Sequence, residues 1–209
     1  MIKYLLFLFF LNEVNSEPKQ MIAGLNLAKH KPGIVIDVGA NGGKETMLAL
    51  ERGRKVLAVE CLSSAYMKLL DMFQNNKNVT LVHICAGKNT EITTLHLADD
   101  SSSLFYKNIV SGAERMKALR PHNKLRKNKE TVITLPLDNI VNEPVSLIKI
   151  DVQGYEQAVL KGAKRLIATY KPVIIYEDTS GFEKESGFHI PEGYTCNKVN
   201  GDKVCAYSV

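Results

Sequence analysis

Apolar residues along this chain fall into two kinds of run, and their alternation sets the architecture. Ile34 to Val38, Lys55 to Glu60, Val79 to Ile84, Ser146 to Asp151 and Val173 to Glu177 are short and rich in β-branched residues. Such near-continuous apolar blocks are the mark of strands buried on both faces of a parallel sheet. Between them the apolar period changes to that of a helix. Tyr66, Leu69, Leu70 and Phe73 fall at i, i+3, i+4 and i+7 behind Ser63, which is placed to cap that helix. Val159, Ala163, Leu166 and Ile167 give one buried face to a helix expected from Tyr155 to about Ala168. A helix is also expected from Lys44 to Arg52, ended by Gly53. Strands alternating with helices in this way predict βαβ units, hence an α/β, doubly wound sheet.

The alternation breaks twice. Glu91 to Ala98 and Thr131 to Pro136 read as extended, with a serine-rich and a basic stretch between them. At the end of the chain, Tyr194 to Val199 and Asp202 to Val209 flank Asn200-Gly201, the strongest short-range signal for a tight hairpin. A two-residue turn there makes Val199 face Asp202, and counting outward sets Cys196 opposite Cys205 in a non-hydrogen-bonded pair. The closer Cα spacing of such a pair suits a disulfide, which is expected at this position. No bond is expected between the other two cysteines, Cys61 and Cys85.

With 209 residues, 45% hydrophobic and 23% charged, the chain can bury a sizeable core and fits neither a disordered nor a fibrous class. Its first sixteen residues stand apart. Lys3 precedes an unbroken apolar run from Tyr4 to Leu11, and Val14-Asn15-Ser16 offers residues suited to cleavage. That is the layout of a secretory signal peptide, although a helix packed on the domain would share its composition. The run is well short of the ~20 apolar residues of a membrane helix. The expected organisation is a signal peptide over residues 1–16 and a single domain over 17–209. After signal removal no transmembrane span would remain, and the domain would reside in the secretory lumen or outside the cell. The bond between Cys196 and Cys205 fits that oxidising setting. Asn78-Val79-Thr80 is the one glycan acceptor sequence.

The net charge of +5 is unevenly spread. Arg115, Lys117, Arg120, Lys124, Arg126, Lys127 and Lys129 occur with no acidic residue among them, and the rest of the chain is slightly acidic. A run of this kind is either a solvated loop or a steering surface for an anionic partner.

Candidate chemistry begins at Asp37-Val38-Gly39-Ala40-Asn41-Gly42-Gly43. Gly39 and Gly43 lie between a strand and a helix, where a side chain would obstruct a ligand approaching the backbone. The helix N-terminus that follows suits a carboxylate. Asn41 stands where the dinucleotide motif G-x-G-x-x-G needs its second glycine, which counts against a nicotinamide-dependent oxidoreductase. Glu60 comes 23 residues after Asp37, near the ~20-residue offset across one βαβ unit, and can accept hydrogen bonds from both hydroxyls of a ribose.

A third group carries the family resemblance. Lys149-Ile150-Asp151-Val152-Gln153-Gly154-Tyr155-Glu156, then Val159-Leu160-Lys161-Gly162-Ala163, Lys171-Pro172 and Glu177, resembles the FkbM family of methyltransferases. So do Val35-Ile36-Asp37-Val38-Gly39-Ala40-Asn41 with Gly43, and Leu135-Pro136-Leu137-Asp138. The likeness runs from about residue 33 to residue 180. Five β/α repeats closed by an antiparallel hairpin also match the class I methyltransferase fold, a Rossmann-like, mostly parallel sheet. The resemblance implies an S-adenosylmethionine-dependent O-methyltransferase acting on natural products or sugar-containing molecules. It implies that Asp37, Gly39, Asn41 and Gly43 hold the amino-acid part of the cofactor, that Glu60 holds its ribose, and that Ala86 and Gly87 border its adenine. Cys61 stands where the family usually has proline, and Gln153 where it usually has glutamate. The second change removes a charge beside the expected catalytic carboxylate and weakens the case for a metal.

A methyl transfer to oxygen needs the hydroxyl aligned and its proton removed. Asp151, at the carboxyl edge of the sheet, is the first candidate for the base. Glu156 and Glu177 follow, either orienting the substrate or completing a Mg²⁺ site of hard oxygen ligands. Glu156 is equally an acid favouring a helix dipole, and Glu177 an ordinary strand-end charge. Asp99-Asp100-Ser101-Ser102-Ser103 resembles the family's serine-bearing loop and could line the acceptor pocket, as could any flexible polar loop. The five histidines show no metal-ligand spacing. The expected acceptor is a hydroxyl of a carbohydrate, glycoconjugate or small molecule. Two other readings stay open: a non-catalytic binding module on the same fold, and an RNA methyltransferase using segment 115–129, against which the secretory reading argues.

Overall fold

A computed structural model of the chain describes residues 18–97, 129–177 and 190–208. The expected signal peptide, the Asp99–Ser103 loop and all of the basic run except Lys129 lie outside the described residues.

Seven strands form the main sheet. In chain order its parallel part comprises β1 (Ile34–Val38), β2 (Val56–Glu60) and β3 (Val79–His83). Two short strands follow, β4 (Cys85–Ala86) and β5 (Glu91–His96), and then β6 (Lys129–Leu135). The chain returns to the main sheet with β7 (Val145–Ile150), β8 (Val173–Glu177), β9 (Tyr194–Val199) and β10 (Asp202–Tyr207). The order across the sheet is β3-β2-β1-β7-β8-β10-β9. The first five of these neighbours run parallel, and β10 is antiparallel to both β8 and β9. The strand order therefore reverses between β1 and β7, the switch point where doubly wound sheets take their ligands.

Side chains alternate between the two faces of every central strand, so each face has its own core. On one face Ile36, Val59, Ile148, Ile150 and Ile174 pack with Val159, Leu160, Leu166 and Ile167. On the other, Val35, Ala58, Leu147, Val173 and Ile175 meet Met21, Leu25, Leu48, Leu69 and Phe73. Three helices cover that second face: α1 (Lys19–Leu27), α2 (Lys44–Glu51) and α3 (Ser63–Phe73). Helix α1 is absent from the apolar pattern read above. It docks through Met21, Gly24 and Leu25, and a Cβ at Gly24 would press on Ile175 and Leu147.

The helix expected from Tyr155 to Ala168 is two helices, α5 (Glu156–Lys161) and α6 (Lys164–Tyr170), preceded by the short α4 (Leu137–Ile140). The break has a cause remote in sequence. Gly162 packs against the Gly87 carbonyl so closely that any side chain would overlap it. Asp138 then accepts hydrogen bonds from the amides of Arg165 (2.8 Å) and Leu166 (3.0 Å), starting α6 from outside. Ser63 does not cap its helix either. Leu62 holds the cap position, and the Ser63 hydroxyl donates instead to Glu130 at 2.8 Å.

Strands β4, β6 and β5 make a separate three-stranded sheet, with β5 antiparallel to β6. This is what the two extended stretches in the middle of the chain become. The C-terminal hairpin has the expected register, Val199 opposite Asp202 and Cys196 opposite Cys205. Cys196 and Cys205 are disulfide-bonded, with Cα atoms 4.0 Å apart. The expectation for the other pair is corrected. Cys61 and Cys85 are also bonded, because β4 leaves the main sheet beside the end of β2 and brings their Cα atoms to 4.4 Å. No helix among the described residues is long and apolar enough to cross a membrane.

Candidate functional site

The carboxyl ends of β1, β2, β7 and β8 gather most of the expected residues along one edge. The turn after β1 is held open by left-handed backbone at Gly39 (φ 76°), Asn41 (φ 42°) and Gly43 (φ 74°). Only glycine takes this region without cost, with asparagine next. Both of these glycines are also required by packing. A Cβ on Gly39 would overlap the Asp151 carbonyl, and one on Gly43 would meet Phe73 and Leu69. Gly42, by contrast, faces open space.

Asp37 lies beneath this turn, fully buried. Its Oδ2 accepts from the Thr46 hydroxyl at 2.7 Å, and Lys149 Nζ lies 3.2 Å from Oδ1 as an ion pair without hydrogen-bond alignment. Asp37 thus supports the turn from below, through Thr46 and Lys149. Lys149 also donates to the Gly39 carbonyl at 3.0 Å and approaches Asp151 Oδ2 at 4.0 Å. Burial alone would lower the pKa of this ammonium, but attraction from Asp37, Asp151 and Glu45 outweighs it and holds the pKa above the usual lysine range. One buried cation therefore joins the turn to the end of β7. Lys149, Thr46 and Glu45 were not singled out from the sequence, although a lysine inside the apolar block Val145–Ile150 is a signal that a buried charge has a partner.

Asp151 begins directly after β7, and its amide donates to the Val38 carbonyl at 3.0 Å, which sets it beside the turn. Its side chain is 43% exposed. Glu156 is buried and turned inward. One oxygen accepts from the amides of Gly154 (3.0 Å) and Val152 (3.3 Å), so it shapes the 151–154 turn. Burial pushes its carboxyl upward against the pull of those amides. Gln153 Nε2 donates to Asp151 Oδ1 at 2.9 Å and to Glu177 Oε2 at 3.0 Å. Burial, and then the carboxylates of Asp151, Glu156 and Asp202, push Glu177 up to about 7.

The Mg²⁺ expectation does not fit this arrangement. Magnesium needs several hard oxygens converging on one point. Here the facing oxygens of Asp151 and Glu177 converge on an amide nitrogen. Among the described residues, no group of three or more His, Cys, Asp or Glu is arranged to hold a metal.

Glu60 ends β2, nearly buried, and each oxygen takes one backbone amide: Asn41 at 2.8 Å and Leu62 at 2.7 Å. A carboxylate has about four acceptor positions, so two remain for a diol. Ala86 and Gly87 are both buried. A Cβ on Gly87 would press on Thr134 and Tyr155, its carbonyl lies against Gly162 at the α5–α6 break, and the Cys61–Cys85 bond ties this wall to the end of β2. The donor set fits S-adenosylmethionine: an open backbone turn for its amino-acid end, a strand-end carboxylate for its ribose, and a small-residue wall beyond.

Comparison with known proteins agrees with this architecture. A methyltransferase FkbM of Methylobacillus flagellatus KT superposes with a TM-score of 0.53 at 17% identity, over 83% of this chain and 43% of that one. The chain thus spans less than half the length of that protein. A putative caffeoyl-CoA O-methyltransferase from Staphylococcus aureus superposes at 0.50 with 13% identity, over 99% of this chain and 92% of that one. At these identities the likeness establishes the fold, a class I methyltransferase sheet. No curated protein matches the sequence. The methyltransferase FkbM domain model matches residues 37–195, a span that takes in the β1 turn, Glu60, the Asp151 turn and Glu177, and the chain belongs to the FkbM methyltransferase family.

Proposed function

We propose that this protein is an S-adenosylmethionine-dependent O-methyltransferase whose acceptor is a hydroxyl of a carbohydrate, a glycoconjugate or a small molecule. The observation that carries the reading is Asp151, a half-exposed carboxylate fastened by its amide to the last carbonyl of β1, beside an open turn. The cofactor, when bound, supplies an electrophilic methyl group on a sulfonium.

The chain's own residues then have distinct tasks. The turn at Gly39, Asn41 and Gly43 receives the amino-acid end of the cofactor, and Asp37 steadies it through Lys149 and Thr46. Glu60 accepts from the ribose, and Ala86 and Gly87 back the adenine side. Asp151 would orient the acceptor hydroxyl and take its proton as that oxygen accepts the methyl group. Glu156 holds the turn that carries Asp151. The two disulfides are consistent with an oxidising compartment, which supports residence in the secretory pathway.

Calorimetry with S-adenosylmethionine and its demethylated product tests the cofactor assignment. Glu60→Ala should weaken both by about 1–3 kcal/mol, the usual cost of leaving ligand donors unpaired. Absence of binding by the wild-type protein would overturn the assignment. For the acceptor, transfer of a labelled methyl group to a panel of glycans and small hydroxyl compounds should be lost roughly a hundredfold in Asp151→Asn while cofactor affinity is kept. Near wild-type turnover in that variant would remove Asp151 from the base role.

A further inference from the structure

The Asp151 turn contains a side chain to which the scheme above gives no task. Gln153 sits in left-handed backbone (φ 55°), followed by Gly154 at φ 96°. That is an unfavourable place for a glutamine unless its surroundings hold it there. They do, since Glu156 ties down the amides on either side of it. The result is that one carboxamide nitrogen, with two hydrogens to give, faces one carboxylate from the end of β7 and another from the end of β8. These two carboxylates belong to different strands and would repel at this separation. The neutral amide bridges them, and the buried Lys149 approaches the other oxygen of Asp151 at 4.0 Å.

We propose that Gln153 is a positioning residue for methyl transfer, which aims Asp151 at the acceptor by clamping it to Glu177 and fills with a neutral donor the gap where a divalent cation would otherwise join the pair. The inference rests on Asp151 being the base. A carboxamide suits this task because it presents two donors from a single atom at fixed spacing. It also leaves Asp151 Oδ2 clear of the clamp, 4.0 Å from Lys149 Nζ. Glutamate at this position would present acceptors to acceptors, and a third carboxylate would call for a cation between them.

The test uses Mn²⁺ as a probe of the pair, read by its electron paramagnetic resonance signal, on the purified full chain. Wild-type protein should leave the free Mn²⁺ signal undiminished at millimolar metal. Gln153→Glu should bind Mn²⁺ roughly tenfold tighter than wild type or better, because it completes a set of charged oxygens. S-adenosylmethionine affinity should be the same in both, since the Gln153 carboxamide is turned to Asp151 and Glu177. Should Gln153→Glu fail to fold, nuclear magnetic resonance of the wild type decides. The Gln153 side-chain amide signals should move in Asp151→Asn and in Glu177→Gln, and Mn²⁺ should not broaden them. Equal Mn²⁺ binding by wild type and Gln153→Glu would overturn the proposal, as would broadening of the wild-type amide by Mn²⁺. A wild-type protein that binds neither Mn²⁺ nor S-adenosylmethionine would instead count against the cofactor assignment and leave the clamp standing.

Discussion

Asp37 and Glu177 show how much a carboxylate's role depends on what surrounds it. Both are strand residues of the same sign, yet Asp37 is fully buried with a lysine and a hydroxyl for partners, and Glu177 is half-buried among other acids. Asp37→Ala would strand the Lys149 ammonium in the core, and breaking a buried pair in this way costs about 3–5 kcal/mol. We therefore expect that variant to show a large loss of stability in chemical denaturation, before any effect on ligand affinity is considered. A melting curve matching wild type would mean that Asp37 carries no such burden. Glu177 acts through pH. Its folded pKa of about 7 lies above the ordinary 4.5, so between these values the folded chain binds more protons than the unfolded one. Its contribution to stability is then fully present below about pH 4.5 and is lost as pH rises through 7. Glu177→Gln should flatten this part of the pH–melting profile. An unchanged slope between pH 5 and pH 8 would show that Glu177 titrates normally.

Among the elements, helices α5 and α6 are the instructive case. Read as a pattern, Val159, Ala163, Leu166 and Ile167 make one continuous apolar face, and both helices do bury it. What divides them is Asp138, more than twenty residues earlier, together with the contact between Gly162 and Gly87. Asp138→Ala should cost about 0.5–2 kcal/mol, the range for loss of a helix cap, and should fray α6 first. Hydrogen exchange at Arg165 and Leu166 no faster than in wild type would refute the cap. The same lesson applies to Ser63. Its amide and hydroxyl both go to Glu130 on a strand of the smaller sheet, which no local spacing announces. The hairpin behaves differently because Asn200-Gly201 and the alternation of side chains determine its register without outside help.

For the whole molecule, the two disulfides tie the edges of the fold to its centre. One links the last two strands, and the other links the end of β2 to the smaller sheet. Peptide mapping without reductant should find Cys61 with Cys85 and Cys196 with Cys205, and a mature N-terminus at Glu17. Reduction should lower stability by roughly 2–4 kcal/mol per bond. Free thiols at all four positions in secreted material would refute the oxidised fold, and retention of Met1 to Ser16 would refute the signal peptide. The apolar blocks Ile34 to Val38, Ser146 to Asp151 and Val173 to Glu177 determined on their own that a parallel sheet lies at the centre, because burial on both faces leaves an unbroken apolar run. Asp37, the glycine turn and Glu60 were legible too, since a strand-end turn and an acid one unit later are local features at fixed spacing. Tertiary structure alone decided that Lys149 links Asp37 to the Asp151 turn, that Gln153 bridges Asp151 and Glu177, and that Cys61 meets Cys85. Each joins residues from separate elements, and no period along the chain encodes the distance between two strand ends once the sheet has closed between them.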